Sequence, residues 1–157
     1  MRIPLVAIAV LVAIGASACG STRPTAIQTS PFPTLTSATA TFVSRDDGKD
    51  KDSSVTAQIL RSNAELGADI YSVGTQFEDN SSSGQLAFSV SGPFIPSDVE
   101  HGHVRLHLTP DGNDDWMFDL HISMRFSDGT ADNFMWRGIR LDKANPERVL
   151  TLGPARS

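Results

Sequence analysis

The chain has 157 residues, a formal net charge of -5 and a single cysteine. The acidic balance and the lack of any Lys/Arg run argue against a nucleic-acid partner. One cysteine excludes an intramolecular disulfide, so a hydrophobic core, with or without a bound ion, must hold the domain together.

The N-terminus reads as a secretory signal. Arg2 is followed by an uncharged run from Ile3 to Ile14, then by Gly15-Ala16-Ser17-Ala18-Cys19-Gly20. The run is about a dozen residues long, short of the roughly 20 that cross a bilayer. An ordinary signal peptide with an incidental cysteine is the alternative. A lone thiol in a secreted chain has no partner, however, and a cysteine directly after small residues resembles a bacterial lipobox. That resemblance implies removal of residues 1–18, a diacylglycerol on the Cys19 thiol and acylation of the new N-terminus. Two or three acyl chains give stable anchoring. The expected location is the cell membrane or the outer membrane, on the extracytoplasmic side.

Residues 19–38 are dominated by Ser, Thr and Pro and read as a disordered tether, because such a segment buries too little apolar surface to offset its ordering entropy. Phe32 and Leu35 are its candidates to dock onto the domain, with disorder the preferred reading. From residue 39 to 157 the texture becomes alternating. Strands are expected at 39–43, 55–60, 70–77, 85–90, 103–108, 116–126, 134–141 and 149–152. The clearest runs from Trp116 through Phe118, Leu120, Ile122 and Met124 to Phe126, with Met117, Asp119, His121, Ser123 and Arg125 between them. The phase slips near Gly138, which predicts a bulge. Turn residues separate the runs at Asp46-Asp47-Gly48, Asn80 to Gly84, Pro110-Asp111-Gly112-Asn113 and Ser127-Asp128-Gly129. No long stretch keeps helical period. The expected fold is an all-β antiparallel sandwich of seven or eight strands.

Three acidic loops carry the candidate chemistry. The first holds Asp46, Asp47, Asp50 and Asp52, alongside Lys49 and Lys51. The second runs from Glu78 to Gly84. The third holds Asp111, Asn113, Asp114 and Asp115. In an antiparallel fold successive connections alternate between the two ends, so the first, third and fifth share one end. Converging carboxylates and amides on flexible loops suit calcium, which takes six to eight oxygens. The competing reading is that Asp, Asn and Gly simply form turns. His103 and His107 lie four apart on one strand, roughly 13 Å from each other, too far to share a zinc ion. No Gly-x-Ser-x-Gly, His-Glu-x-x-His or phosphate loop occurs, so catalysis is not expected. Trp116 opens an inward stripe and reads as core, whereas the phase change leaves Trp136 open to either face.

Two segments resemble a known family. One is the acidic loop Asp46 to Ser54 running into Val55-Thr56. The other spans Asp98 to Phe126, with Gly102, a strand, Pro110 to Asp115 and then Trp116 opening the next strand. Over residues 40–142 this is similar to PLAT/LH2 β-sandwiches and, more loosely, to calcium-binding C2 domains. The resemblance implies a calcium-tolerant binding or adaptor module with no chemistry of its own. The expected partner, besides the membrane, is an envelope protein or a glycan. A structural envelope protein without an ion, or a carbohydrate-binding accessory domain, are the alternatives. Replacing Cys19 with Ala should move the protein from the membrane to the soluble fraction and abolish incorporation of labelled fatty acid. Unchanged membrane fractionation of Cys19→Ala would contradict lipid anchoring.

Overall fold

Alternation in the sequence becomes alternation of burial. In the computed structural model, which describes residues 32–46 and 48–153, nine strands and one short helix form two antiparallel sheets. Cys19, the signal segment and Asp47 lie outside the described residues. The elements are β1 (Leu35–Ser44), β2 (Ser54–Leu60), β3 (Leu66–Val73), β4 (Leu86–Ala87), β5 (Ser89–Val90), α1 (Pro96–Glu100), β6 (His103–Thr109), β7 (Asp115–Phe126), β8 (Ala131–Asp142) and β9 (Glu147–Thr151). One sheet has the order β4-β1-β7-β8 and the other β5-β3-β2-β6-β9.

The core is the space between the two inner faces. The first sheet contributes Ala40, Phe42, Trp116, Phe118, Leu120, Ile122 and Met124, and the second contributes Val55, Ala57, Ile59, Val104, Leu106 and Leu108, all buried. On β7 every second residue from Trp116 to Phe126 is buried, while His121 and Arg125 stand exposed on the opposite face. The rings of Trp116 and Phe118 stack at 3.9 Å, and Phe42 meets Trp116 at 5.3 Å and Phe118 at 5.4 Å. Trp136 is half-buried and stacks on Phe134 at 5.9 Å.

The expected bulge is present. The β7–β8 register shifts between Phe118 and Leu120, opposite Gly138, whose φ of 64° an L side chain adopts only under strain.

Four expectations need correction. Strand β1 opens at Leu35, so the tether does not extend to 38. Leu35 and Ala38 are both buried, but the pairing with β7 is irregular between Leu35 and Ser37, which hides the period in the sequence. Strand β3 covers 66–73, and Phe77 instead forms an isolated bridge with Lys49. The run at 85–90 is two short strands, one in each sheet, joined at the buried Phe88. Helix α1 has one turn, too short to show a helical period; Pro96 opens it, and the Asp98 carboxylate accepts the Ile95 N–H at 2.9 Å.

Phe118 is fully buried and packs on two of these rings, Phe42 and Trp116. Phe118→Ala should cost about 3–5 kcal/mol of unfolding free energy in urea titration, through lost burial plus a cavity. A cost under about 1 kcal/mol would contradict the inward assignment of this face.

Candidate functional site

Strand direction decides which loops meet. Strand β1 runs from Leu35, paired with Phe126, to Ser44, paired with Phe118. Strands β2, β3, β6, β7 and β8 each begin or end beside Ser44's end of the sandwich, as the register pairs Val55–Val73, Ser54–Thr109 and Asp115–Asp142 require. The three acidic loops therefore share that end. The turn at Asp142–Asn145, between β8 and β9, joins them there. Its carboxylate accepts the N–H groups of Ala144 and Asn145 at 2.8 and 2.7 Å. The same alternation rule applied to the seventh connection would have found this turn.

Main-chain hydrogen bonds stitch the loops together. Lys49 and Phe77 exchange N–H···O bonds at 2.9 Å in both directions. The Gly48 N–H donates to Asp79 Oδ1 at 2.8 Å. A Cβ on Gly48 would lie 2.3 Å from the Phe77 carbonyl oxygen, so this approach of two backbones requires glycine. The Asn80 N–H donates to the Arg45 carbonyl at 3.0 Å, and the Asp111 N–H to Ser53 Oγ at 2.9 Å. Below the loops, the Trp116 indole donates to Ser44 Oγ at 2.9 Å.

A buried cation already occupies this end. Lys49 has 0 % exposure, and its Nζ donates to the main-chain carbonyls of Asp50 at 2.8 Å and Ser53 at 2.5 Å. It also lies 5.4 Å from the centre of the Phe77 ring, within range of a cation–π attraction. Burial pulls the ammonium below the ordinary lysine value, and the carboxylates of Asp114 and Asp50 oppose that shift. Asp114 is 7 % exposed, and its Oδ2 makes no hydrogen bond to a described residue.

The other candidate ligands are dispersed. The Asp46 carboxylate accepts from Asn80 Nδ2 at 3.5 Å. Asp115 is paired with Arg140, whose Nε donates to Oδ1 at 2.8 Å. Asp50, Asp52, Asp111 and Asn113 are exposed. Among the described residues no three acidic, imidazole or thiol side chains group to hold a metal ion. Two main-chain carbonyl oxygens of the first loop, those of Asp50 and Ser53, face the Lys49 ammonium.

A second feature carries no motif in the sequence. On the outer face of the β4-β1-β7-β8 sheet, a groove of about 370 Å³ is lined by Thr39, Thr41, Gln85, His121, Ser123, Asn133 and Met135, among others. Register builds it from two adjacent cross-strand rows, Thr39–Ser123–Asn133 and Thr41–His121–Met135. In the next row along the sheet, paired with Val43, Asp119 accepts Arg45 Nε and Nη2 at 2.8 and 2.7 Å and the Gly138 N–H at 2.8 Å. These bonds hold the Asp119 carboxyl below its ordinary value, the Arg45 side chain foremost. The histidines are divided, with His121 on this face and His103 and His107 on the other sheet.

No family model and no curated protein matches the chain. Among solved structures it is similar in fold to part of a calcium-dependent 11R-lipoxygenase, with 15% sequence identity and a TM-score of 0.45. That similarity covers 73% of this chain and 17% of the lipoxygenase, so the chain spans about one-sixth of that protein's length.

Lys49→Met should destabilise the fold by about 1–3 kcal/mol, because it leaves the inward carbonyls of Asp50 and Ser53 without their donor and removes the positive charge that opposes the Asp114 carboxylate. In an Asp114→Asn background the same substitution should cost clearly less, a difference that a double-mutant cycle measures. The folded ammonium titrates below the unfolded value of 10.5, so the unfolded state holds more protons just below that pH. The Lys49 contribution to stability therefore rises with pH across that window, and Lys49→Met should remove the rise.

Proposed function

We propose that the protein is a lipid-anchored, extracytoplasmic binding module with no chemistry of its own. The observation that carries this reading is the polarity of β1. The chain enters the sandwich at Leu35, and β1 runs about 30 Å, at roughly 3.3 Å per residue, to the end where the acidic loops gather. A diacylated Cys19 upstream of Leu35 would hold the domain by one end and present the loop end and both outer sheet faces away from its attachment. The acidic loop leading into β2 and the turn before Trp116 carry the likeness to PLAT/LH2 and C2 modules, and that likeness supports a binding or adaptor role.

On this reading the loop end works without calcium. The Lys49 ammonium supplies the positive charge that neighbouring carboxylates and inward carbonyls require. The free Oδ2 of Asp114 favours a second reading, in which an ion joins or replaces the ammonium.

A specific protease site inserted between Arg23 and Pro24 tests both points. Cleavage should release the domain from membranes. The released domain should melt at the same temperature in millimolar calcium and in chelator. A domain that stays on the membrane after cleavage overturns anchoring through the N-terminal lipid alone. A calcium site filled at a hundredfold excess over its Kd would add about 2.7 kcal/mol of stability. A shift of that size overturns the ammonium reading and assigns Asp114 to a metal.

A further inference from the structure

We propose that the groove on the outer face of the β4-β1-β7-β8 sheet binds a neutral carbohydrate. The inference rests on the reading of the protein as a binding module and names the ligand class of one of its faces.

The chemistry of the lining is selective. Thr39, Thr41, Gln85, His121, Ser123 and Asn133 all offer hydrogen-bonding side chains, and none of them bonds to another described side chain or backbone group. No Asp, Glu, Lys or Arg lines the groove, although one residue in five of the chain is charged. The nearest carboxylate along the sheet, Asp119, is held by Arg45 and Gly138. Arg125, the next outward residue on β7 after Ser123, flanks the groove without lining it. A charged ligand would therefore find no counter-ion within the groove, and an apolar one would leave six polar groups without water or partner. Sugar hydroxyls both donate and accept, which hydroxyl, amide and imidazole groups match in kind.

The geometry suits the same class. Three strands spaced about 4.8 Å apart and two rows about 7 Å apart make a patch the size of one or two pyranose rings. A volume of about 370 Å³ lies within the range of small-molecule sites. Met135 is 53 % exposed at one end of a row and offers a polarisable apolar surface to the C–H face of a ring. The groove lies on rigid paired strands, so little ordering opposes binding.

The test uses the full-length protein, solubilised in a zwitterionic detergent without sugar headgroups. Binding of cellohexaose, mannohexaose, chitohexaose and anionic hyaluronan hexasaccharide is measured by titration calorimetry and by ligand-observed NMR. At least one neutral hexasaccharide should bind. Ser123→Ala combined with Asn133→Ala should weaken it about tenfold or more, through lost hydrogen bonds. His107→Ala, on the other sheet, should leave it unchanged. The substituted side chains stand on the outer face, and unchanged melting confirms that the variants fold. No binding by any neutral hexasaccharide at millimolar concentration overturns the inference. So does binding that survives the double substitution, or a preference for hyaluronan. These outcomes are independent of membrane fractionation and of calcium, so a failed groove leaves the anchored-module reading standing.

Discussion

At the loop end the indole of Trp116 ties the first sheet to the loop beyond β3. Its ring stacks on Phe118, meets Phe42 from the neighbouring strand and meets Phe77 at 5.3 Å from the loop beyond β3. Its N–H, which would be costly to bury alone, is spent on Ser44 Oγ. Because Phe77 is also bridged to Lys49, the aromatic cluster fixes the position of the first acidic loop. The core and the loop end are thus one packed unit rather than a scaffold with independent loops.

That coupling explains why a lysine can lie buried amid carboxylates. An ammonium removed from water needs oxygen acceptors and nearby negative charge. Two main-chain carbonyls, a ring face, Asp50 and Asp114 supply both. The same oxygens, without the lysine, would be suited to a hard cation. One residue inside an acidic loop therefore supplies part of that loop's own counter-charge.

The outer sheet face follows a different logic. Strict period two on β7 drives large apolar residues inward and leaves mostly polar residues outward. Antiparallel register then aligns those outward residues with their counterparts on β1 and β8. Thr39, Ser123 and Asn133 are far apart in sequence and are brought into one row by pairing alone. A groove made this way carries no motif, because no segment of the chain contains it.

The sequence by itself determined the all-β class, the inward stripe from Trp116 to Phe126, the bulge opposite Gly138 and, through the alternation of connections, the common end of the acidic loops. These are local or topological properties: side chains alternate along a strand, and antiparallel strands reverse. Only the tertiary structure decided the start of β1 at Leu35, the division of residues 85–90 between two sheets and the burial of Lys49. It also decided that Asp115 turns to Arg140 and that a polar groove spans three strands. Each of these depends on which strands become neighbours and in what register, and that is chosen by packing between residues tens of positions apart.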